Sequence, residues 1–115
     1  MSRTIPNRES RQLRSKAALF AALGDETRIT LLLKLGDGSL VSITQLTDGL
    51  PVSRQAVTKH LRILKEAGLV RNMRRGRESL FQIDPKPIDD AREALNRISE
   101  LWDQSLSRLK EFVEN

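Results

Sequence analysis

The 115-residue sequence has no cysteine and a single histidine, His60. Without cysteine there are no disulfides, thiolate metal sites or cysteine nucleophiles, which fits a reducing cytosol. No apolar run approaches the roughly 20 residues a helix needs to cross a bilayer. The N-terminal residues lack the apolar core of a secretory signal. The expectation is a cytoplasmic protein with no membrane partner. Nor does the sequence show a phosphate loop, a nucleophile–base pair or a metal cluster. An active site needs such groups, so neither an enzyme nor a bound cofactor is expected.

What the sequence does have is positive charge, unevenly placed. The net charge is +5 and the isoelectric point about 10.2, a balance that favours an acidic partner. Residues 1–16 carry Arg3, Arg8, Arg11, Arg14 and Lys16 against Glu9 alone. Residues 53–67 carry Arg54, Lys59, Arg62 and Lys65 against Glu66, and residues 69–83 carry Arg71, Arg74, Arg75 and Arg77 against Glu78. Residues 84–115 reverse the sign, with eight acids and five bases. The length suits one domain. The 38% hydrophobic share is low for a free-standing globule, so part of the chain is expected to bury itself against a partner.

Residues 1–12 are polar, hold Pro6 and show no periodicity; they read as a flexible basic arm. The domain proper then spans residues 13–115. Leu13, Ala17, Ala18, Phe20 and Leu23 suit a first helix over residues 13–23, ended by Gly24. Asp25 caps a second helix to Leu35, whose apolar density predicts burial on most sides. A short edge strand fits residues 39–41. Ser42-Ile43-Thr44-Gln45 has the spacing of a capping box and opens a short third helix to about Asp48. After the break Gly49-Leu50-Pro51, Ser53 caps a fourth helix over residues 53–67, with Val57, Leu61 and Leu64 as its inner stripe. Two strand-like runs, residues 69–74 and 79–84, flank a glycine-bearing loop and predict a hairpin. Pro85 and Pro87 suit a helix start, and a long helix over residues 87–114 follows. In it Ile88, Leu95, Trp102 and Leu109 recur every seven residues, as do Ala91, Ile98, Ser105 and Phe112. That is a heptad seam, longer than the domain's own core needs.

Two short helices joined by a tight break, the second capped by Ser and basic on its outer face, make a helix-turn-helix, and the hairpin after it makes the winged variety. The expected fold class is mainly α with a small β-hairpin wing and a long C-terminal dimerisation helix. Ser53, Arg54, Gln55, Thr58, Lys59 and Arg62 lie opposite the inner stripe. A recognition helix enters the major groove by its first turns, where Gln55 suits an adenine edge and Arg54 or Lys59 a guanine or phosphate. Ser53 and Thr58 can donate to phosphate or bases, and the helix N-terminus itself attracts phosphate. Arg74, Arg75 and Arg77 at the wing suit phosphates or a minor groove. Double-stranded operator DNA is the expected partner.

Three segments resemble the ArsR (arsenic-repressor) family of winged-helix regulators. They are Phe20-Ala21-Ala22-Leu23-Gly24-Asp25-Glu26-Thr27-Arg28, then Val52-Ser53-Arg54-Gln55-Ala56-Val57-Thr58-Lys59-His60-Leu61, then Leu64-Lys65-Glu66-Ala67-Gly68-Leu69-Val70. The resemblance implies a homodimeric repressor of an inverted-repeat operator, with the first and last helices as the interface. On this chain those helices offer Leu13, Ala17, Phe20, Ala91, Leu95, Ile98, Trp102, Leu109 and Phe112. The family's metal sensors use thiolates at the third helix, where this sequence reads Ile43-Thr44-Gln45-Leu46-Thr47-Asp48, or His with carboxylates on the last helix, where it offers only Asp89, Asp90 and Glu93. Carboxylates alone suit zinc and soft metals poorly, so the chain resembles the metal-independent branch, with no metal site and an effector the residues do not identify.

Several residues admit a plainer role. The helix over residues 53–67 could be an ordinary solvated surface, or its basic face could hold an acidic protein instead of DNA. His60 sits beside Val57 and Leu61 and reads as a half-buried packing residue. Trp102 at a heptad position reads as core or interface. The acidic run 89–93 reads as a favourable first helical turn. Arg28 fits either a structural ion pair or a phosphate contact. The arm could reach a groove or add only non-specific affinity.

Overall fold

The computed structural model describes the backbone of residues 7–114; within the first helix it describes the side chains of residue 11 and of residues 14 onward. The element order is α1 (Asn7–Leu23), α2 (Glu26–Leu35), β1 (Val41–Ser42), α3 (Ile43–Thr47), α4 (Arg54–Glu66), β2 (Val70–Arg75), β3 (Glu78–Ile83) and α5 (Pro85–Glu114). The helix-turn-helix, the hairpin and the long last helix stand where the sequence puts them. The sheet has a third strand: β1 pairs antiparallel with β3, giving the order β1-β3-β2.

Local chemistry sets most boundaries. Asp25 caps α2 by accepting from the Arg28 N–H at 3.1 Å. Ser42 and Gln45 form the full capping box on α3. Ser53 caps α4 by accepting from the Ala56 N–H at 3.1 Å. Each such cap contributes about 1 kcal/mol. Arg75 pairs with Glu78, which leaves Gly76 and Arg77 as a two-residue turn. Gly76 has φ +62° while Arg77, like every other non-glycine described, avoids positive φ. Glycine at the first central position with a negative φ at the second is the II′ arrangement that matches strand twist.

Two boundaries differ from expectation. The first helix starts at Asn7, so residues 7–12 extend it, while residues 1–6 of the expected arm lie outside the described residues. Glu, Arg and Gln are good helix formers whatever their periodicity, and Pro6 precedes the first turn. The last helix starts at Pro85, two residues early, because Asp84 caps it by accepting from the Lys86 N–H at 3.1 Å.

The core lies between α2, α3, α4 and the hairpin. Leu31, Leu35, Leu46, Val57, Leu61, Leu64 and Leu69 are fully buried, with Val70 and Phe81 from the sheet beside them. Burying each large side chain contributes about 1.5–3 kcal/mol. From α1 it is Leu19 and Ala22 that reach this core, while Ala17 and Ala18 are exposed. Ala91 is the one α5 residue in it, at 4% exposure. Ala91 thus serves this chain's own core, which corrects its assignment to a partner-facing seam. On α2 the expectation of all-round burial fails. Ile29 and Leu33 are exposed, Leu33 at 76%, because a helix against a single core buries only one stripe.

Two cations brace the helices. Arg28 donates from Nε to the Ala22 carbonyl at 2.7 Å and from Nη2 to the Ala21 carbonyl at 3.2 Å, closing the C-terminus of α1. Its Nη1 donates to His60 Nδ1 at 3.2 Å on α4. Arg28 is therefore structural. Lys34 donates to the Leu46 carbonyl at 3.2 Å and also to that of Asp48, holding the end of α3 and the turn after it against α2.

Replacing Arg28 with Met keeps the length and removes the fork. Urea unfolding of Arg28→Met is expected to show a loss of about 2 kcal/mol, the scale of hydrogen bonds from a charged donor. An unchanged midpoint and slope would discard the brace. The carboxyls of Asp25 and Asp84 are held below their ordinary 3.8, chiefly by the backbone N–H groups of Arg28 and Lys86. Such groups contribute stability above their unfolded value, lost as pH falls through the lower folded value. Acid unfolding therefore sets in below about pH 4, and Asp84→Asn is expected to flatten that acid limb.

Candidate nucleic-acid interface

The geometry of α4 follows from its inner stripe. Val57, Leu61 and Leu64 are fully buried, so the opposite face must point to solvent. Ser53, Arg54, Gln55, Thr58, Lys59 and Arg62 are all exposed there. Arg74, Arg75 and Arg77 are exposed on the wing. Neighbouring strand residues point to opposite faces. Arg74 therefore shares the face of Val70 and Asn72, Arg75 lies on the other, and Arg77 sits in the turn. An arrangement with a cation on each side of a hairpin and one at its tip can straddle a backbone.

The ion pairs of the described residues lie elsewhere. Arg71 meets Asp84 at 3.3 Å at the base of the wing. Arg92 meets Asp89 at 3.9 Å and Lys110 meets Glu114 at 3.9 Å along α5. Among the described residues, none of Arg54, Lys59, Arg62, Arg74, Arg75 or Arg77 has a carboxylate within 4.0 Å. Six cations on one helix face and one hairpin thus remain available to external phosphates, whose neutralisation dominates nucleic-acid affinity.

The hydroxyls differ from one another. Ser53 Oγ accepts the Ala56 N–H, so its own proton is free to donate outward. Thr58 Oγ1 donates to the Arg54 carbonyl at 3.0 Å, so its proton is already engaged. This corrects the expectation that both are donors.

His60 is half-buried, with 22% of its side chain exposed. It lies beside the stripe as expected, but its partners are polar: Arg28, and Asp25 Oδ2 at 3.8 Å. Arginine has only donors, so His60 Nδ1 accepts and the ring proton sits on Nε2. No sequence periodicity signals this trio, because Asp25 and Arg28 lie on another helix. On α5, Asp89 is engaged with Arg92, and no cluster of three His, Asp or Glu side chains placed to hold a metal ion is found among the described residues.

The seam residues from the sequence are placed as follows. Phe20 is half-buried and Ala17 exposed on α1; the Leu13 side chain lies outside the described residues. Leu95, Ile98, Trp102, Leu109 and Phe112 are exposed along α5, Phe112 at 83%. Leu101, Leu106 and Val113, which a strict seven-residue count skips, are exposed as well. The i, i+3, i+4 rule would have found them.

Comparison with known proteins agrees with this geometry. A helix-turn-helix domain family model matches residues 23–72. The chain is 33% identical over 102 residues to the HTH-type transcriptional regulator Rv2034 of Mycobacterium tuberculosis, covering 89% of this chain and 92% of that protein. It is 37% identical over 81 residues to the HTH-type transcriptional repressor SmtB of the same species, over 70% of this chain and 59% of the repressor. A solved ArsR-like transcriptional regulator from Rhodococcus sp. RHA1 superposes with a TM-score of 0.78 at 38% identity, covering 90% of this chain and 94% of that one.

The cap of α4 gives a direct test of how its first turn is held. Ser53→Ala is expected to cost about 1 kcal/mol in thermal or urea unfolding, and Ser53→Asp close to nothing. Equal losses in both variants would show that the cap does not set this terminus.

Proposed function

The chain belongs to the ArsR-type family of helix-turn-helix transcriptional regulators, and from that premise we propose that it is a homodimeric repressor of an inverted-repeat operator, acting in the cytoplasm through α4 and the β2–β3 wing. It is a DNA-binding transcriptional regulator and not an enzyme. The observation that carries the finer reading is the set of six cations without carboxylate partners on α4 and the wing. Ser53, Arg54, Gln55, Thr58, Lys59 and Arg62 enter the major groove, while Arg74, Arg75 and Arg77 hold the flanking backbone.

The dimer reading rests on α5. Its 30 residues span about 45 Å, yet only Ala91 joins the core. From Leu95 to Val113 an apolar stripe stays open to solvent, larger than monomeric proteins ordinarily leave exposed. A second copy of α5, with Phe20 and Ala17 of α1 beside it, covers that stripe. A two-fold axis then sets two α4 helices about one DNA turn apart, roughly 34 Å. Occupying both grooves blocks polymerase, which is repression by occlusion.

Mobility shifts against the DNA upstream of its own coding sequence are expected to show binding that exceeds random DNA. Affinity is expected to fall about a thousandfold or more between 50 and 200 mM salt, as six or more phosphate contacts require. Equal binding to random DNA, or a flat salt dependence, would refute the operator reading. Retention of an acidic protein with no DNA preference would favour a protein-docking role for the same face. Sedimentation is expected to give a dimer at micromolar concentration, and Ile98→Glu with Leu109→Glu a folded monomer. A stable wild-type monomer would remove the dimer.

A further inference from the structure

The nine candidate contacts need not share one job, and the helical geometry of α4 separates them. Gln55, Thr58 and Arg62 follow i, i+3, i+7 spacing. At about 100° per residue they form one ridge along the centre of the exposed face. Arg54 lies about 70° to one side of that ridge and Lys59 about 70° to the other. A helix lying in a major groove turns its central ridge to the base edges and its flanks to the two phosphate walls. We propose that Gln55, Thr58 and Arg62 read bases while Arg54 and Lys59 clamp opposite backbones, and that Thr58 selects a thymine through its methyl group. The inference rests on α4 being the DNA-reading helix.

The Thr58 assignment comes from its hydrogen bond. The hydroxyl proton is donated to the Arg54 carbonyl at 3.0 Å. That bond holds the oxygen against the turn below and leaves the γ-methyl as the group a base meets. The thymine 5-methyl is the one apolar feature of the major-groove edge, and a threonine methyl matches it. On the ridge, Gln55 stands one turn before Thr58 and suits the adenine N6/N7 edge. Arg62 stands one turn after and suits guanine O6/N7. Every polar group is thereby matched without breaking the Thr58 bond.

The test selects duplexes from a random-sequence library at about 150 mM salt with the full chain. Wild type is compared with Thr58→Val, Thr58→Ser, Gln55→Ala, Arg54→Ala and Lys59→Ala. Thr58→Val keeps a methyl and removes the hydroxyl, and it is expected to recover the wild-type motif. Thr58→Ser keeps the hydroxyl and removes the methyl, and it is expected to lose preference at one thymine by about fourfold, the worth of one buried carbon. Deoxyuridine at that thymine is expected to weaken wild type and Thr58→Val but not Thr58→Ser. Gln55→Ala is expected to lose about five- to a hundredfold of discrimination at a neighbouring adenine. Arg54→Ala and Lys59→Ala are expected to weaken all sequences alike and reduce the salt slope by about one each. The assignment falls if Thr58→Val shifts the motif, if the thymine preference survives Thr58→Ser, or if Arg54→Ala changes base preference. A wild-type selection that enriches no motif overturns the operator reading itself, an outcome distinct from these.

Discussion

The outward face of α4 depends on three side chains that face the other way. Val57, Leu61 and Leu64 are sealed against α2, α3 and the hairpin, which fixes the roll of the helix about its own axis. A helix free to roll by one residue would turn about 100° and replace Gln55 and Thr58 with His60 or Ile63. The Ser53 cap fixes where the helix begins, and the brace from Arg28 to His60 ties its middle to the end of α1. Lys34 fixes the turn that precedes it. Position, roll and start are therefore set by contacts that a groove never meets.

Charge is organised to the same end. The carboxylates that could neutralise the reading face are engaged elsewhere: Asp25 with the α2 N-terminus, Asp84 with Arg71 and the α5 N-terminus, Asp89 with Arg92. A paired cation would have to exchange its partner on binding, giving back part of what a phosphate contact contributes. Cations without partners lose only hydration and counterions.

Much of this was legible in the sequence because the signals are local. The capping box at Ser42 and Gln45, the caps at Asp25 and Ser53, the glycine in the hairpin turn and the exposed face of α4 all follow from residues within one turn of one another. What was not legible depends on distant parts of the chain. In residues 17–23 apolar residues fall on every side, so periodicity could not say that Leu19 and Ala22, rather than Ala17, meet the core. The heptad count placed Ala91 on the seam with Ile98, and only the packing of α1 on α5 puts it inside. The role of Arg28 required knowing that Ala21, Ala22 and His60 converge on one guanidinium. The division of the hydroxyls between Ser53 and Thr58 rests on rotamers, which composition does not carry.

The Arg28 brace has a mechanical corollary. Because one guanidinium grips the last carbonyls of α1 and a ring on α4, those two helices move as a single piece. If α1 and α5 join two copies, the paired reading helices behave as the fixed points of a pair of callipers, with the opening set at the joint. Loosening at the joint would then spoil the fit to both grooves at once without disturbing any contact within either arm.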